Sequence, residues 1–373
     1  MSKQTRFVKS GAVSCRSIPN DGLLLFNADS NKERVLNETG SYIWQKLDEK
    51  LCAKDTAHAL SQEFEVDDEV AFADVEQYLN LLQDEQFIEF GDQITAAPVP
   101  LPYGAAPLQL DIALTGKCNL SCKYCFFAEE MEKREDLPTT QWLGFIAELE
   151  RCGVRSICFS GGEVFMRKDL FAIIDATIAG RMRFSLLSNG GLIDEAVVEQ
   201  LSTVKRRKRL SSIQISLDGS KAEIHDRLRG KGSFAGAVKA IRLLREANLP
   251  VTSRVTIHRH NVEDLPAITK LLLDELGLPS FSTNEAADLG SCRKGEEIKL
   301  TTVQRLRAME LLVGLARDNR GRVTAQGGPL ALYRIFKEME AVRKGKAKAK
   351  PFMGQLSGCG CPNSQLAVNH DGT

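Results

Sequence analysis

The sequence predicts an α/β protein in which a small domain of short strands and three helices precedes a larger parallel sheet with helices outside it. The first 90 residues hold three short strand-like runs followed by helical patterns, and the Ala- and Pro-rich stretch ITAAPVPLPYGAAP ends this part. From Leu108 onward, short strands and helices alternate. Alternation of this kind indicates a parallel sheet, either doubly wound or a full or partial barrel.

The small domain is expected over residues 1–95 and its linker over 96–107. The runs VSCRSI, GLLLFN and ERVLN are strand-like and are separated by good turn sequences. A helix is expected from Glu38, a second with Thr56 as its cap, and a third that Asp67 caps. The third helix has four apolar residues on one side: Val70, Val75, Leu79 and Leu82. QFIEF adds a short strand.

The α/β region is expected over residues 108–330. Its six candidate strands are LQLDIAL, VRSICF, RFSLL, SIQISL, TSRVTI and SFSTN. Helical stretches such as TTQWLGFIAELERC and FAGAVKAIRLLREAN lie between them. The basic runs KRRKR (205–209) and VRKGKAKAKP are expected to be solvated linkers, and residues 331–373 form a less regular bridging region and C-terminal segment.

Charge argues against a nucleic-acid or membrane partner. The chain has 49 basic and 49 acidic side chains, and residues 1–95 have 9 basic against 18 acidic. No apolar run approaches the roughly 20 residues of a membrane span, and MSKQTRFVKSG lacks the apolar core of a signal peptide. We therefore expect a cytoplasmic protein, where thiols stay reduced and clustered cysteines are metal ligands or nucleophiles.

Three cysteines lie within eight residues of LTGKCNLSCKYCFF, just after the first strand of the α/β region. Cys118, Cys122 and Cys125 have the spacing C-x3-C-x2-C, with no fourth cysteine nearby. A structural zinc site normally uses four protein ligands, and this motif supplies three. A cubane iron-sulfur cluster held by three cysteines leaves one iron open to a substrate or cofactor.

This motif resembles the signature of the radical S-adenosylmethionine (radical SAM) enzymes, C-x3-C-x-(aromatic)-C, with Tyr124 in the aromatic position. The resemblance implies a partial (β/α)6 barrel of TIM type as the radical SAM core. It implies a 4Fe-4S cluster on the three cysteines, and S-adenosylmethionine bound to the open iron. One electron then cleaves the cofactor to a 5′-deoxyadenosyl radical that abstracts hydrogen from the substrate.

Small polar and glycine motifs follow the next strands. The glycines of GGE allow close approach of a ligand to the backbone, and Glu163 offers an acceptor for an ammonium group. By the same resemblance, GGE binds the amino group of S-adenosylmethionine, two later motifs contact its ribose and methionine parts, and Arg229, in preference to Arg227, binds its carboxylate. The expected cofactor-binding residues are Tyr124, Gly161, Gly162, Glu163, Ser188, Asn189, Ser216, Asp218 and Arg229.

The N-terminal domain resembles the winged-helix-like α+β domain of the pyrroloquinoline-quinone peptide-chaperone family. The resemblance rests on element order and on Asn37, Thr39, Gly40, Ile43 and Trp44, which fit N-x-T-G-x-x-I-W. Such domains pair the leader of a ribosomally made peptide against a sheet edge. A DNA-binding winged helix is disfavoured by the excess of acidic residues, and a structural appendage without a ligand is the remaining alternative.

The C-terminal CGCPNSQLAVNHDGT resembles the start of a SPASM domain, which binds auxiliary iron-sulfur clusters. Cys361, Leu366, Val368 and Gly372 fit its pattern. Cys359 and Cys361 are candidate ligands of an auxiliary 4Fe-4S cluster, with free thiols as the alternative. The chain stops at Thr373, before the later cysteines of the pattern, so we expect either a fragment of a longer protein or a vestigial site.

These resemblances together imply a radical SAM enzyme that modifies a precursor peptide, with a thioether or carbon-carbon crosslink among the expected products and a flavodoxin or ferredoxin as electron donor. The alternatives are a sulfatase-maturing-type oxidase acting on a folded protein and a non-catalytic peptide-binding scaffold with a structural cluster. A third alternative, an RNA-modifying enzyme, would need a basic surface, and only the KRRKR run supports it. His225, His258 and His260 are expected in the core or in solvated loops rather than on a metal.

Overall fold

Short antiparallel strands open the N-terminal domain. The strands are β1 (Phe7–Lys9), β2 (Val13–Ile18), β3 (Gly22–Asn27), β4 (Lys32–Leu36) and β5 (Ile88–Phe90). A three-stranded sheet has the order β2-β3-β4, and β1 pairs with β5. The computed structural model describes residues 6–18, 22–49, 51–91, 107–131, 135–325, 327–346 and 365–373. The four predicted strands are confirmed, and β1 is an addition.

Three helices pack on these strands: α1 (Glu38–Lys46), α2 (Ala53–Phe64) and α3 (Asp68–Asp84). Asp67 caps α3 as predicted, because its side chain accepts the backbone N–H of Glu69 at 2.8 Å. The prediction for Thr56 is wrong: α2 begins at Ala53, so Thr56 lies buried in its first turn. The prediction that Val70 lies on the same apolar side of α3 is also wrong, because Val70 is 54% exposed and Ala71 is buried instead.

The α/β region contains an eight-stranded sheet. Its strands are β6 (Gln109–Ala113), β7 (Ser156–Ser160), β8 (Arg183–Ser188), β9 (Leu210–Ser216), β10 (Val251–Ile257), β11 (Phe281–Glu285), β12 (Val323–Ala325) and β13 (Gln365–Val368). The order is β12-β11-β10-β9-β8-β7-β6-β13. Neighbours are parallel wherever their register is defined, from β13 with β6 through to β11 with β12.

Helices follow the strands, as α/β alternation requires. They are α4 (Ala128–Met131), α5 (Thr139–Arg151), α6 (Leu170–Ala179), α7 (Glu195–Ser202), α8 (Val204–Arg209), α9 (Ala222–Arg229), α10 (Ser233–Glu246), α11 (Leu265–Lys270), α12 (Thr302–Asp318) and α13 (Gly328–Arg343). Ile112, Phe159, Ile213 and Val255 are fully buried, because a covered parallel sheet is apolar on both faces. The KRRKR run is helical, as α8, and is not a linker.

All six predicted strands are present, so the α/β class with a partial barrel of TIM type is confirmed. β12 and β13 extend the sheet beyond the prediction. The chain divides into two compact units: residues 1–108, 144–155 and 177–183 form the first, and the other residues form the second. The predicted linker lies almost entirely outside the described residues, as do Cys359 and Cys361. Among the helices described above, none has the length and apolar character needed to cross a membrane.

Candidate active site

The predicted site residues gather where successive parallel strands end. The cysteine loop, residues 114–127, follows β6, and Gly161, Gly162 and Glu163 follow β7. Ser188 ends β8 and Asn189 follows it, while Ser216 ends β9 and Asp218 lies two residues further on. Because these strands are neighbours in one sheet, their carboxyl ends meet at a single edge. The predicted residues therefore form one site.

The cysteine loop presents three half-buried thiols. Cys118, Cys122 and Cys125 are free, and the backbone N–H of Cys125 donates to the carbonyl oxygen of Cys122 at 3.1 Å. Lys123 N donates to the carbonyl oxygen of Leu228, and Ser291 N donates to that of Cys125. The loop is thus held from α9 and from the segment after β11.

The donor chemistry of this loop fits a cluster. Burial raises the pKa of the Cys122 thiol to about 11, so iron binding there must release a proton. Within the described part of the chain, no three His, Cys, Asp or Glu side chains are placed to share one metal ion. A cubane has no such requirement, because each of its cysteines binds a different iron.

Gly161 and Gly162 bring the backbone after β7 against the cysteine loop. Gly162 N donates to the carbonyl oxygen of Thr115 and Glu163 N to that of Lys117, both at 2.8 Å. A Cβ on Gly162 would overlap the carbonyl oxygen of Lys117, and Gly161 has a φ of +145°. These glycines therefore allow the backbone after β7 to lie close to the cysteine loop.

Glu163 links the ends of β7 and β8. Its carboxylate is buried and accepts the Ser188 hydroxyl at 2.8 Å and the backbone N–H of Asn189 at 2.7 Å. Burial raises the pKa of Glu163, while these donors oppose the shift. Asn189 in turn contacts the cysteine loop, because its side-chain Nδ2 donates to Asn119 Oδ1 at 2.8 Å. Glu163 and Asn189 thus connect two strand ends to the cysteine loop.

Asp218 and Arg229 form a buried ion pair beside Tyr124. Arg229 Nε and the Tyr124 hydroxyl both donate to Asp218 Oδ2, and Thr256 N donates to Asp218 Oδ1 at 2.7 Å. Burial is the largest single effect and favours the neutral acid, but the charge and hydrogen bond of Arg229, with smaller contributions from His225 and His258, together lower the pKa of Asp218. The Arg229 guanidinium lies 5.4 Å from the Tyr124 ring centroid. Three predicted cofactor-binding residues therefore contact one another.

Two histidines adjoin this pair, and both are core residues as predicted. His225 Nδ1 accepts the backbone N–H of Asp218 at 3.0 Å, and His258 Nδ1 accepts that of His260 at 3.2 Å. A neutral ring that accepts at Nδ1 carries its proton at Nε2. The Nε2 atoms of His225 and His258 are buried without a hydrogen-bond partner. Each therefore presents an unsatisfied donor.

The sequence did not point to a cavity of about 520 Å³ at the end of β11. Arg305 pairs with Glu285 there, with its Nε 3.0 Å from Oε1, and Lys299 lies 2.8 Å from Asp288. Asn284 Oδ1 is buried without a partner. The lining residues are Asn284, Glu285, Ala286, Ala287, Asp288, Lys299, Arg305, Gly327, Gly328 and Leu332. The sequence does not point to these residues because they are scattered over β11, α12, α13 and the loops near them, with no diagnostic spacing.

Comparison with known proteins matches both regions to families. Residues 112–272 match the radical SAM superfamily, and residues 22–88 match coenzyme PQQ synthesis protein D (PqqD). Residues 112–272 include Cys118, Cys122 and Cys125. The superfamily's cofactors are a 4Fe-4S cluster and S-adenosylmethionine, and the thiols of the cysteine loop suit that cluster.

Two curated relatives and one solved structure show the range of similar proteins. The chain is 36% identical over 162 residues to a PqqA peptide cyclase of Granulibacter bethesdensis, covering 43% of this chain and 42% of the relative. It is 33% identical over 207 residues to an Fe-coproporphyrin III synthase of Methanosarcina barkeri, covering 52% and 51%. Streptococcus suis SuiB bound to precursor peptide SuiA superposes with a TM-score of 0.69 at 15% identity, covering 98% of this chain and 81% of that one.

The chain spans about half the length of the curated relatives it matches. The likeness to SuiB extends over both the N-terminal domain and the α/β region, and it concerns the fold. Residues 112–272 of this chain are therefore similar to the radical SAM superfamily, and residues 22–88 are similar to the PqqD family.

Proposed function

We propose that the protein is a radical SAM enzyme that modifies a ribosomally made precursor peptide. The observation that carries the proposal is the cysteine loop, whose three thiols lie at the same sheet edge as Glu163, Asn189 and the Asp218–Arg229 pair. When bound, the cluster and S-adenosylmethionine supply a 5′-deoxyadenosyl radical. The chain itself binds, orients and excludes water.

In this proposal the cysteines hold the cluster and the neighbouring strand ends hold the cofactor. A guanidinium has five N–H donors, so the bond from Arg229 Nε to Asp218 leaves others for a carboxylate. Ser216 is half-buried at the end of β9 and offers a hydroxyl. Glu163 fixes Ser188 and Asn189, and its carboxylate keeps lone pairs that can accept from the amino group of the cofactor. Cys359 and Cys361 remain candidate ligands of an auxiliary cluster.

The PqqD match favours a peptide as substrate. One relative is named a PqqA peptide cyclase, and SuiB was solved with its precursor peptide. The Fe-coproporphyrin III synthase relative raises a tetrapyrrole substrate as the second candidate. A leader-binding domain serves a peptide and has no role for a tetrapyrrole. The cavity at the end of β11 is our candidate place for the part of the peptide that is modified.

The remaining details of the proposal follow the sequence predictions. The leader pairs with an edge of the β2-β3-β4 sheet, and a thioether or carbon-carbon crosslink is the proposed product. A flavodoxin or ferredoxin supplies the electron. The reaction takes place in the cytoplasm, where cysteines stay reduced.

Anaerobic reconstitution with iron and sulfide, followed by dithionite and S-adenosylmethionine, tests the enzyme proposal. We expect at least about four irons per chain, the content of the one cubane on the cysteine loop, together with release of 5′-deoxyadenosine. Cys122→Ala is expected to lose both, because it removes a ligand. Cys52→Ser is the matched control, since Cys52 is half-exposed and lies outside residues 112–272. A wild-type cluster without 5′-deoxyadenosine would support the scaffold alternative instead.

The substrate is tested by mass spectrometry after adding either a precursor peptide encoded nearby or iron coproporphyrin III. A loss of hydrogen from the peptide supports the proposal, and conversion of the porphyrin contradicts it. A version lacking residues 1–95 is expected to lose peptide turnover while it still releases 5′-deoxyadenosine. Undiminished turnover would favour an oxidase that acts on folded proteins.

A further inference from the structure

We propose that His370 is a positioning residue that holds both flanks of the cysteine loop. The inference rests on the proposed function, because it concerns the loop that would bind the cluster. It assigns a role to a histidine that no motif singled out, in a segment 240 residues from its hydrogen-bond partner in the chain.

Sheet register brings His370 to the loop. β13 runs parallel to β6, with Val368 beside Ile112. Both strands run in the same direction from that pair. The residues after Val368 therefore lie near Leu114, Thr115 and Gly116, which precede Cys118. His370 is 1% exposed at this point. The backbone carbonyl of His370 also accepts the N–H of Leu137 at 2.8 Å. This bond connects His370 to the chain downstream of the cysteine loop.

The imidazole contacts the downstream flank of the loop through Nε2. Nε2 lies 2.9 Å from the carbonyl oxygen of Glu130. A carbonyl oxygen only accepts, so Nε2 carries the proton and donates. The ring also meets Phe127 edge to face, with centroids 5.9 Å apart. Phe127 and Glu130 lie two and five residues after Cys125.

The upstream flank is held through Asp136. Its carboxylate accepts the Thr115 hydroxyl at 2.6 Å and the Gly116 N–H at 2.7 Å. His370 Nδ1 lies 3.2 Å from Asp136 Oδ1, an ion-pair distance for a protonated ring, although the two atoms lack the alignment of a hydrogen bond. Asp136 thus connects the ring to the residues that precede Cys118.

The His370 ring packs closely against Gly116. A Cβ on Gly116 would lie 3.2 Å from the His370 ring and 2.8 Å from the carbonyl oxygen of Met131. The imidazole therefore fills the gap between the two flanks. Since the positions of Cys118 and Cys125 depend on how far apart those flanks lie, His370 acts on the cluster through the loop.

Cluster stability tests this role in the reconstituted full chain. We compare His370→Ala, His370→Gln and Asp136→Asn by electron paramagnetic resonance of the reduced cluster and by the rate at which a chelator bleaches it. His370→Ala is expected to bleach about five to ten times faster, the size expected from one lost buried hydrogen bond. It should also change the resonance of the cluster. His370→Gln should recover much of the wild-type rate, because its amide nitrogen can still donate to Glu130.

Asp371→Asn is the matched control, because Asp371 lies in the same turn and its side chain accepts from Thr373. It should bleach like wild type. The double variant His370→Ala/Asp136→Asn should bleach more slowly than the product of the two single effects predicts, because the residues share one linkage.

Three outcomes would overturn the inference. An unchanged rate and resonance in His370→Ala would do so while leaving the proposed function intact. Equal bleaching of His370→Gln and His370→Ala would remove the assigned role of Nε2. A wild-type chain that takes up no cluster would overturn the proposed function, and this inference with it. If His370→Ala fails to fold, the rates of His370→Gln and Asp136→Asn decide the question.

Discussion

At the scale of the residue, the glycines after β7 act by the absence of a side chain. Gly161 and Gly162 let the backbone after β7 form two hydrogen bonds with the residues that precede Cys118. From the sequence alone, this freedom is expected to serve a ligand. The structure shows that it first serves the protein, because the loop occupies the space that a Cβ would need.

Gly162→Ala is expected to destabilise the protein by about 1–3 kcal/mol, the usual cost of overpacking, and to lower cluster content. Gly144→Ala is the control, since Gly144 lies in α5 with no atom within 4 Å of an added Cβ. That control should gain about 0.5–1 kcal/mol from helix propensity. Chemical unfolding and iron analysis measure both effects. Equal stability of the two variants would contradict this account of Gly162.

At the scale of the element, β4 offers an edge to a peptide. It lies at one end of the β2-β3-β4 sheet, and Val35 is 64% exposed. Arg34 forms an ion pair with Glu85 at the end of α3, so this helix end adjoins the strand. An unpaired edge beside a helix suits strand addition, in which backbone hydrogen bonds give affinity and side-chain pockets give specificity.

Val35→Asp is expected to weaken binding of the precursor leader by about tenfold, because about 1.4 kcal/mol is lost when a buried valine contact is replaced by a charge. Fluorescence anisotropy of a labelled leader measures the change. Val204→Asp is the control, since Val204 is 83% exposed on α8. If the leader binds both variants equally well, β4 is not the docking strand.

At the scale of the whole molecule, stability depends on two histidines that are buried without charge. Burial lowers the pKa of His225 and His258 to about 4. The unfolded chain gains protons near pH 6.5, the ordinary value for histidine. Between these two values the unfolded state binds more protons, so the free energy of unfolding falls as the pH is lowered from about 6.5 to about 4.

Each of these histidines should contribute a slope of up to about 1.4 kcal/mol per pH unit in that window. His225→Asn and His258→Asn should each reduce the slope, since asparagine keeps an acceptor near the Nδ1 position and does not titrate. His58→Asn should leave it unchanged, because the His58 side chain is 65% exposed. Urea unfolding across pH 4.5–7 gives the slopes. Parallel curves for all four proteins would refute the assignment.

Much of this architecture could be predicted because it follows from local patterns. Strand and helix periodicity gave all six central strands, and the spacing of Cys118, Cys122 and Cys125 identified the cysteine loop. The prediction for Thr56 failed because α2 begins at Ala53 and its cap position is Cys52. Helical residues follow both Cys52 and Thr56, so the local pattern does not decide between the two starts. Element bounds of this kind depend on packing that a local pattern does not contain.

The remaining parts of the site are long-range. Nothing in the spacing of Asp218 and Arg229 shows that they pair with each other before they meet a cofactor. The contact of His370 with Glu130 depends on β13 joining the sheet beside β6, and a four-residue strand with three apolar residues does not predict that pairing. Such contacts arise from topology, which a single sequence specifies only through the complete fold.

The hold that His370 has on the cysteine loop has a consequence for biosynthesis. Glu130, the partner of His370 in this contact, is synthesised 240 residues before His370. Contacts with so large a sequence separation form late in folding. Until then, the three thiols belong to a loop with one flank unsupported. Iron delivered before that contact forms would meet an incompletely supported loop, so we expect productive cluster loading to follow synthesis and folding of the segment that contains His370.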